Sequence, residues 1–277
     1  MTKSITEKRA LFRNLHEQGC FVLPNPWDAG SARLLQGLGF KALATTSSGF
    51  AWSLGHADGD IPLETTLAHL RDIVAATDLP VNADFGNGFA ADAQGVADNV
   101  RLVVATGVAG LSIEDATGDD ASPLFAIDTA VERMRAARRA IDESHTDTLL
   151  IGRAENFFVG RPDLPDTIAR LQAYAAAGAD CLYAPGIRTR EEIAAVVNAV
   201  APKPVNLLIG SNSELTLQDI AALGVRRVSV GGGLARAAWG GFMRTARAIA
   251  QDGRFDGFDS SVPGAELNAF FRKSDDA

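Results

Sequence analysis

Short, unbroken apolar runs alternate along this chain with longer stretches of helical period. The runs are "CFVLPN", "KALATTS", "LPVNADF", "GLSIED", "LLIGRAE", "DCLYAP", "KPVNLLI" and "RRVSVGG". Helical period marks Leu63 to Thr77, Asp92 to Thr106, Asp128 to Glu143 and Asp163 to Ala177. A run that is apolar without alternation suits a strand covered on both faces, as parallel strands are. Asp28 before "AGSARLL" and Asp128 before "TAVERMRAARRA" are of the type that caps a helix N-terminus. Gly107, Gly178 and Gly224 fall where a helix should end and a strand follow. About eight such β-then-α units predict an α/β fold, a (β/α)8 TIM barrel. A doubly wound sheet would carry a glycine fingerprint after its first strand, and "NPWDAGSARLL" has none.

A single barrel domain is expected over residues 1–277, with no linker before Gln251. Residues 253–277, "GRFDGFDSSVPGAELNAFFRKSDDA", read as turns followed by a short helix. Phe255, Phe258, Phe270 and Phe271 make this an extra C-terminal segment that docks on something.

Composition agrees with one large soluble domain: 47% apolar and 22% charged residues in a chain of 277. The net charge of -8 argues against a nucleic-acid or acidic-membrane partner. No apolar run approaches the roughly 20 residues of a membrane span, and the N-terminus lacks an apolar signal core. A cytoplasmic protein is expected. Cys20 and Cys181 read as core filler, and His16, His69 and His145 as surface residues on or after helices.

The candidate chemistry lies at the strand ends, where a barrel of this kind builds its site. There the chain places "TTSSG", Asn82 and Asp84, Glu114 and Asp115, then Arg153 and Glu155, with His56 and Asp58 in the loop "SLGHADGD". Carboxylates gathered this closely repel one another unless a cation sits among them. Oxygen ligands without a His–Cys cluster suit Mg²⁺, or Mn²⁺. Asp84 is expected at the barrel mouth facing Glu114, with Gly86 and Gly88 turning the backbone away close to a ligand.

At these residues the chain resembles the isocitrate lyase / phosphoenolpyruvate mutase superfamily. The resemblance runs from "LPNPWDAGSARLL" through "TTSSGF", "LGHAD", "NADFGNG", "SIED" and "GRAENF" to the last strand. It implies a Mg²⁺ site at Asp84, Glu114 and Asp58, binding a 2-oxo acid or its enolate. Thr46, Ser48, Gly49, Phe50, Asp84, Arg153 and Asn206 would bind the substrate. Backbone N–H groups near Ser48 and Gly49 would take its carboxylate, and Arg153 a second negative group. Arg153, Glu114 and Asp58 form the implied catalytic set, and His56, the one histidine near the mouth by position in the chain, joins it as a candidate for proton transfer. It also implies a homotetramer, or a homodimer, with C-terminal helices exchanged between subunits.

Two positions depart from the family pattern. Asn82 replaces its first aspartate. The loop "DATGDDASPLFA" has no Cys, His or Lys, so it lacks both the lyases' cysteine loop and the mutases' Lys-Thr-Asn-Ser. Decarboxylation or hydrolytic cleavage of an oxaloacetate-like acid demands least of that loop. Two alternatives stay open. One is a phosphorylated-sugar aldolase using "LLIGSNSE" and "VSVGGGLAR" as a phosphate cradle, and the other is a degenerate barrel that only binds a 2-oxo acid.

Overall fold

Strand and helix alternate throughout the structure, a computed structural model that describes residues 3–273. The first half runs α1 (Ile5–Glu17), β1 (Phe21–Leu23), α2 (Ala29–Gly37), β2 (Leu43–Ala44), α3 (Ser47–Ser53), α4 (Leu63–Ala76), β3 (Val81–Asp84), α5 (Ala93–Ala105) and β4 (Gly110–Glu114). The second runs α6 (Ile127–Glu143), β5 (Leu149–Arg153), α7 (Leu164–Ala176), β6 (Cys181–Tyr183), α8 (Arg190–Val200), β7 (Val205–Leu208), α9 (Leu217–Ala222) and β8 (Arg227–Ser229). After β8 come α10 (Gly233–Asp252), a 3₁₀ turn (Asp256–Ser260) and α11 (Gly264–Lys273). Residues 1, 2 and 274–277 of the expected domain lie outside the described residues.

All strand pairs are parallel, in the order β1-β8-β7-β6-β5-β4-β3-β2. The Ala44 N–H donates to Pro24 O at 3.1 Å across the remaining seam, which brings β2 back to β1. This is the (β/α)8 barrel that the alternation of runs predicts. Asp28, Asp92 and Asp163 cap α2, α5 and α7 through their side chains. Asp128 does not cap α6: the helix begins at Ile127 after Ala126, so its carboxylate lies in the first turn. There it still favours the positive end of the helix dipole.

Helix α1 closes the floor of the barrel with residues whose partners are remote in sequence. Lys8 donates to Val74 O at 3.1 Å, and Arg9 to Val104 O at 2.8 Å and Val108 O at 3.0 Å. These cations meet carbonyls at or near the C-terminal ends of α4 and α5, where helix dipoles favour positive charge. Phe12 is fully buried and packs edge-on against His16 and Phe21.

His16 and His69 are therefore not surface residues; both are buried. His16 Nδ1 bonds Phe12 O at 2.7 Å, and His69 stacks on Phe50 with ring centroids 3.7 Å apart. Burial above all drops the His16 imidazole to about 3, with Arg227 adding to the effect, and burial drops His69 to about 4. The unfolded chain takes up these protons near pH 6.5, and the folded chain only near those lower values. Stability is therefore full above about pH 6.5 and falls as pH drops towards about 4, by about 1.4 kcal/mol per pH unit per histidine. Denaturant unfolding between pH 7.5 and 5 measures this slope, and His69→Phe should remove one histidine's share. An unchanged slope in that variant would mean that His69 is protonated within the fold.

The C-terminal segment divides in two. Phe270 and Phe271 are half-buried against α2, with the Phe270 ring filling the space where a Cβ on Gly37 would stand. Arg33 packs over the Phe271 ring and donates to Phe271 O at 3.0 Å. Phe255 and Phe258 are exposed, as are Phe242 and Met243 on the outer face of α10.

Candidate active site

β3, β4 and β5 end side by side and raise one acid or base each to the barrel mouth. Asp84 closes β3, Glu114 closes β4 and Arg153 closes β5, where Glu114 pairs in register with Arg153. Arg153 Nη1 lies 2.9 Å from Glu114 Oε2 and 3.2 Å from Asp84 Oδ1, and its Nε is bonded to Glu155 Oε1. The guanidinium also lies 5.1 Å over the Tyr183 ring. The cation among the carboxylates is thus supplied, in this chain, by its own arginine. The acids hold Arg153 protonated against its burial. Burial pushes the Glu114 carboxyl up to about 8 against the pull of Arg153, and the charges of Glu155 and Asp84 push the same way.

Asp115 does not join this ring. Its Oδ2 accepts from Tyr174 at 2.5 Å and Arg170 at 3.1 Å, and its Oδ1 accepts from the Glu155 N–H at 2.8 Å. It is buried and ties β4 and the end of β5 to α7. Successive residues of a strand face opposite sides, so Glu114 and Asp115 cannot both face the mouth.

The turn from β2 into α3 packs directly against Asp84. The Ser47 N–H donates to Asp84 Oδ2 at 3.0 Å, and the Asp84 N–H donates to Thr45 Oγ1 at 2.9 Å. Thr46 caps α3, accepting from the Gly49 N–H at 3.3 Å, with its hydroxyl 3.1 Å from that of Ser48. Only glycine fits at position 49, since a Cβ would lie 2.7 Å from Thr46 Cγ2 and 3.2 Å from both Ala235 and Trp27. At Gly86 the need is conformational, with φ of 50° and open space around it.

Two adjoining cavities share this ring. The larger, about 750 Å³, runs from Asp84, Arg153 and Ser48 across to Gly210 and Arg236. The second, about 600 Å³, lies on the Phe50 and His69 side and is also lined by Asp84, Glu114 and Arg153. Asp58 borders both, and desolvation and then the charge of Asp84 hold its carboxyl above the usual range. His56 stands apart: it is exposed, and it lines neither cavity. Asn206 is fully buried inside the barrel, bonded to Ser229 and Arg227 rather than facing the mouth. Arg188, Arg190 and Arg236 line the larger cavity and were not singled out from sequence. Each follows a strand end by several residues, so the alignment of strand ends does not reveal them.

The glycine-rich ends of β7 and β8 are partly occupied by the chain itself. Asn25 Oδ1 accepts from the Val230 N–H at 2.9 Å and the Gly231 N–H at 2.8 Å. Two of the amides a phosphate cradle needs are therefore already bonded, which weighs against the phosphorylated-sugar reading.

An acid ring gathered around one arginine, at the C-terminal mouth of a parallel barrel, is here the site of a lyase-like enzyme, as the matches to known proteins show. Residues 12–250 match the phosphoenolpyruvate phosphomutase family, and the chain belongs to it. It is 32% identical over 231 residues to an oxaloacetate decarboxylase of Paraburkholderia xenovorans, covering 80% of this chain and 74% of that one. A Burkholderia cenocepacia protein provisionally assigned as a lyase/mutase has 50% identity and a TM-score of 0.94, with 97% of each chain covered. Oxaloacetate acetylhydrolase with its product oxalate aligns at 27% identity and a TM-score of 0.85, over 98% of this chain and 96% of that one.

Proposed function

We propose that this protein is a Mg²⁺-dependent enzyme that decarboxylates or hydrolytically cleaves a small 2-oxo dicarboxylic acid through an enolate. The observation that carries the reading is the Arg153 contact to both Asp84 and Glu114 at the mouth of a large cavity. Oxygen ligands for a hard cation and a planar donor for a carboxylate thus share one place. The oxaloacetate chemistry in the names of two relatives supports the substrate class.

The ring suits a divalent cation in charge, with Asp84, Glu114 and Glu155 around a single guanidinium. Among the described residues no three acidic, His or Cys side chains converge on one point. Asp84, Glu114 and Asp58 would accordingly hold Mg²⁺ in part through water, since this ion keeps several of its waters. Bound there, it would polarise the 2-oxo group and offset the charge that develops as the carbon–carbon bond breaks. Arg153 would receive the substrate carboxylate through Nη2, and through a second prong once one of the acids gives way, since its Nε and Nη1 are bonded to Glu155, Glu114 and Asp84. Thr46 and Ser48 fix the start of α3 beside it.

A panel of 2-oxo and 2-hydroxy di- and tricarboxylic acids, assayed with Mg²⁺ and then with EDTA, tests the proposal. Pyruvate from oxaloacetate marks decarboxylation, and oxalate marks hydrolysis. No Mg²⁺-dependent product from any member would overturn it in favour of a barrel that only binds.

The outer face of α10 and the C-terminal segment bear on assembly. Phe242, Met243, Phe255 and Phe258 are large apolar side chains left exposed, as a surface that meets another subunit would leave them in the single chain. We read α11, which packs here on α2 of its own chain, as an element that could make the same α2 contact with a neighbouring subunit, exchanged in a homotetramer or homodimer. Deleting residues 264–277 should shift the protein to smaller species in light scattering and weaken substrate binding. A full-length chain that is already monomeric would sink the exchange.

A further inference from the structure

The larger cavity reaches a second cation that the proposed reaction does not use. Arg227 opens β8 in register with Phe21, and its guanidinium lies 5.8 Å over Phe12 of α1, at the floor of the barrel. It is 2% exposed yet lines the cavity that opens at the ring. Its Nε donates to Asn206 Oδ1 at 2.9 Å and its Nη1 to His16 Nε2 at 3.3 Å. Among the described residues Nη2 has no protein partner, and no carboxylate pairs with this arginine. Every titratable group around it is neutral. His16 stays unprotonated, burial pushes the Cys181 thiol up to about 11, and burial pushes the Tyr183 phenol up to about 12.

A guanidinium cannot shed its proton to escape this setting. A buried charge without a counter-charge is strongly unfavourable, so a structure normally supplies one. Further donors stand close by. Asn206 links Arg227 to Ser229, donating to its Oγ at 3.0 Å, so the Ser229 hydroxyl keeps its own O–H to donate. Ser229 and Tyr183 both line the cavity, so their hydroxyls are within its walls beside Arg227.

We infer that the cavity floor is a binding site for a compact monoanion, held by Nη2 of Arg227 and a hydroxyl of Ser229 or Tyr183. A halide and a carboxylate share the chemistry required. The first would be a free ion of the medium, and the second the far end of a bound acid. The halide form stands independently of the reaction proposed above, and the substrate-carboxylate form rests on it.

Crystals of the full-length protein grown with sodium bromide, and others soaked with a dicarboxylic acid, provide the test. An anomalous bromide peak within hydrogen-bond reach of Nη2 supports the halide form, and carboxylate density there supports the other. In solution, bromide at fixed ionic strength should raise Tm saturably in wild type and in Arg153→Lys, but not in Arg227→Gln. If the occupant is a substrate carboxylate, Arg227→Gln should instead raise KM more than tenfold for acids bearing the distal carboxylate, with kcat little changed. Only water at Nη2 in both crystals would overturn the inference. Because the crystals use wild-type protein, that outcome does not depend on whether Arg227→Gln folds.

Discussion

Asp84→Ala should abolish Mg²⁺-dependent turnover, lowering kcat/KM by about 10³-fold, while the barrel stays folded. Asp84 stands between the two halves of the proposed chemistry. One oxygen accepts from the Ser47 N–H and the other contacts Arg153. Asp84 would act through the cation it holds, and losing a Lewis acid that offsets the enolate charge removes several kcal/mol of transition-state stabilisation, about 10³ in rate at roughly 4 kcal/mol. Folding should change little, because the substitution also relieves repulsion from Glu114 and Glu155. Calorimetric Mg²⁺ titration with thermal melting checks both halves. Undiminished Mg²⁺ affinity in the variant would move the ion away from Asp84.

Arg153→Met should be the most damaging single change to stability. Its loss leaves Asp84, Glu114 and Glu155 facing one another at a partly buried site with no counter-charge from the chain. Removing one partner of a buried ionic cluster costs about 3–5 kcal/mol. Arg153→Lys keeps the charge but not the planar fork, so it should recover much of the stability and little of the carboxylate binding. Urea unfolding of both variants separates these effects. Equal stability of Met and Lys at this position would show that the acids take up protons instead of relying on Arg153.

The barrel was legible because its signals are local. Apolar runs, aspartate caps and helix-ending glycines each act within a few residues of chain. The mouth residues Asp84, Glu114 and Arg153 were legible for a related reason, since equivalent positions on successive parallel strands must come together, and Asp58 was reached through the loop "SLGHADGD" that the resemblance covers. What escaped were residues whose surroundings are assembled from far along the chain. His16 and His69 sit in polar-looking helical stretches, and only α1 under the barrel and Phe50 over α4 bury them. Asp115 reads like Glu114 until strand alternation turns it towards Tyr174, 59 positions away. Asn206 lies one layer too deep because the strand rows slope around a tilted barrel, so its pairing with Arg227 puts it below the mouth. His56 was near in sequence, but its loop carries it out to solvent.

Arg153 cannot serve both masters at once. While its guanidinium neutralises Asp84 and Glu114, it is withheld from an incoming carboxylate. On the proposed reading, a metal ion entering among the acids would loosen that hold, and an acid that drew Arg153 away would leave the ring wanting a cation. Each ligand would then prepare the seat of the other, and by thermodynamic reciprocity each would tighten its companion by the same factor. The ring at rest would give a weak welcome to either ligand alone and a strong one to the pair.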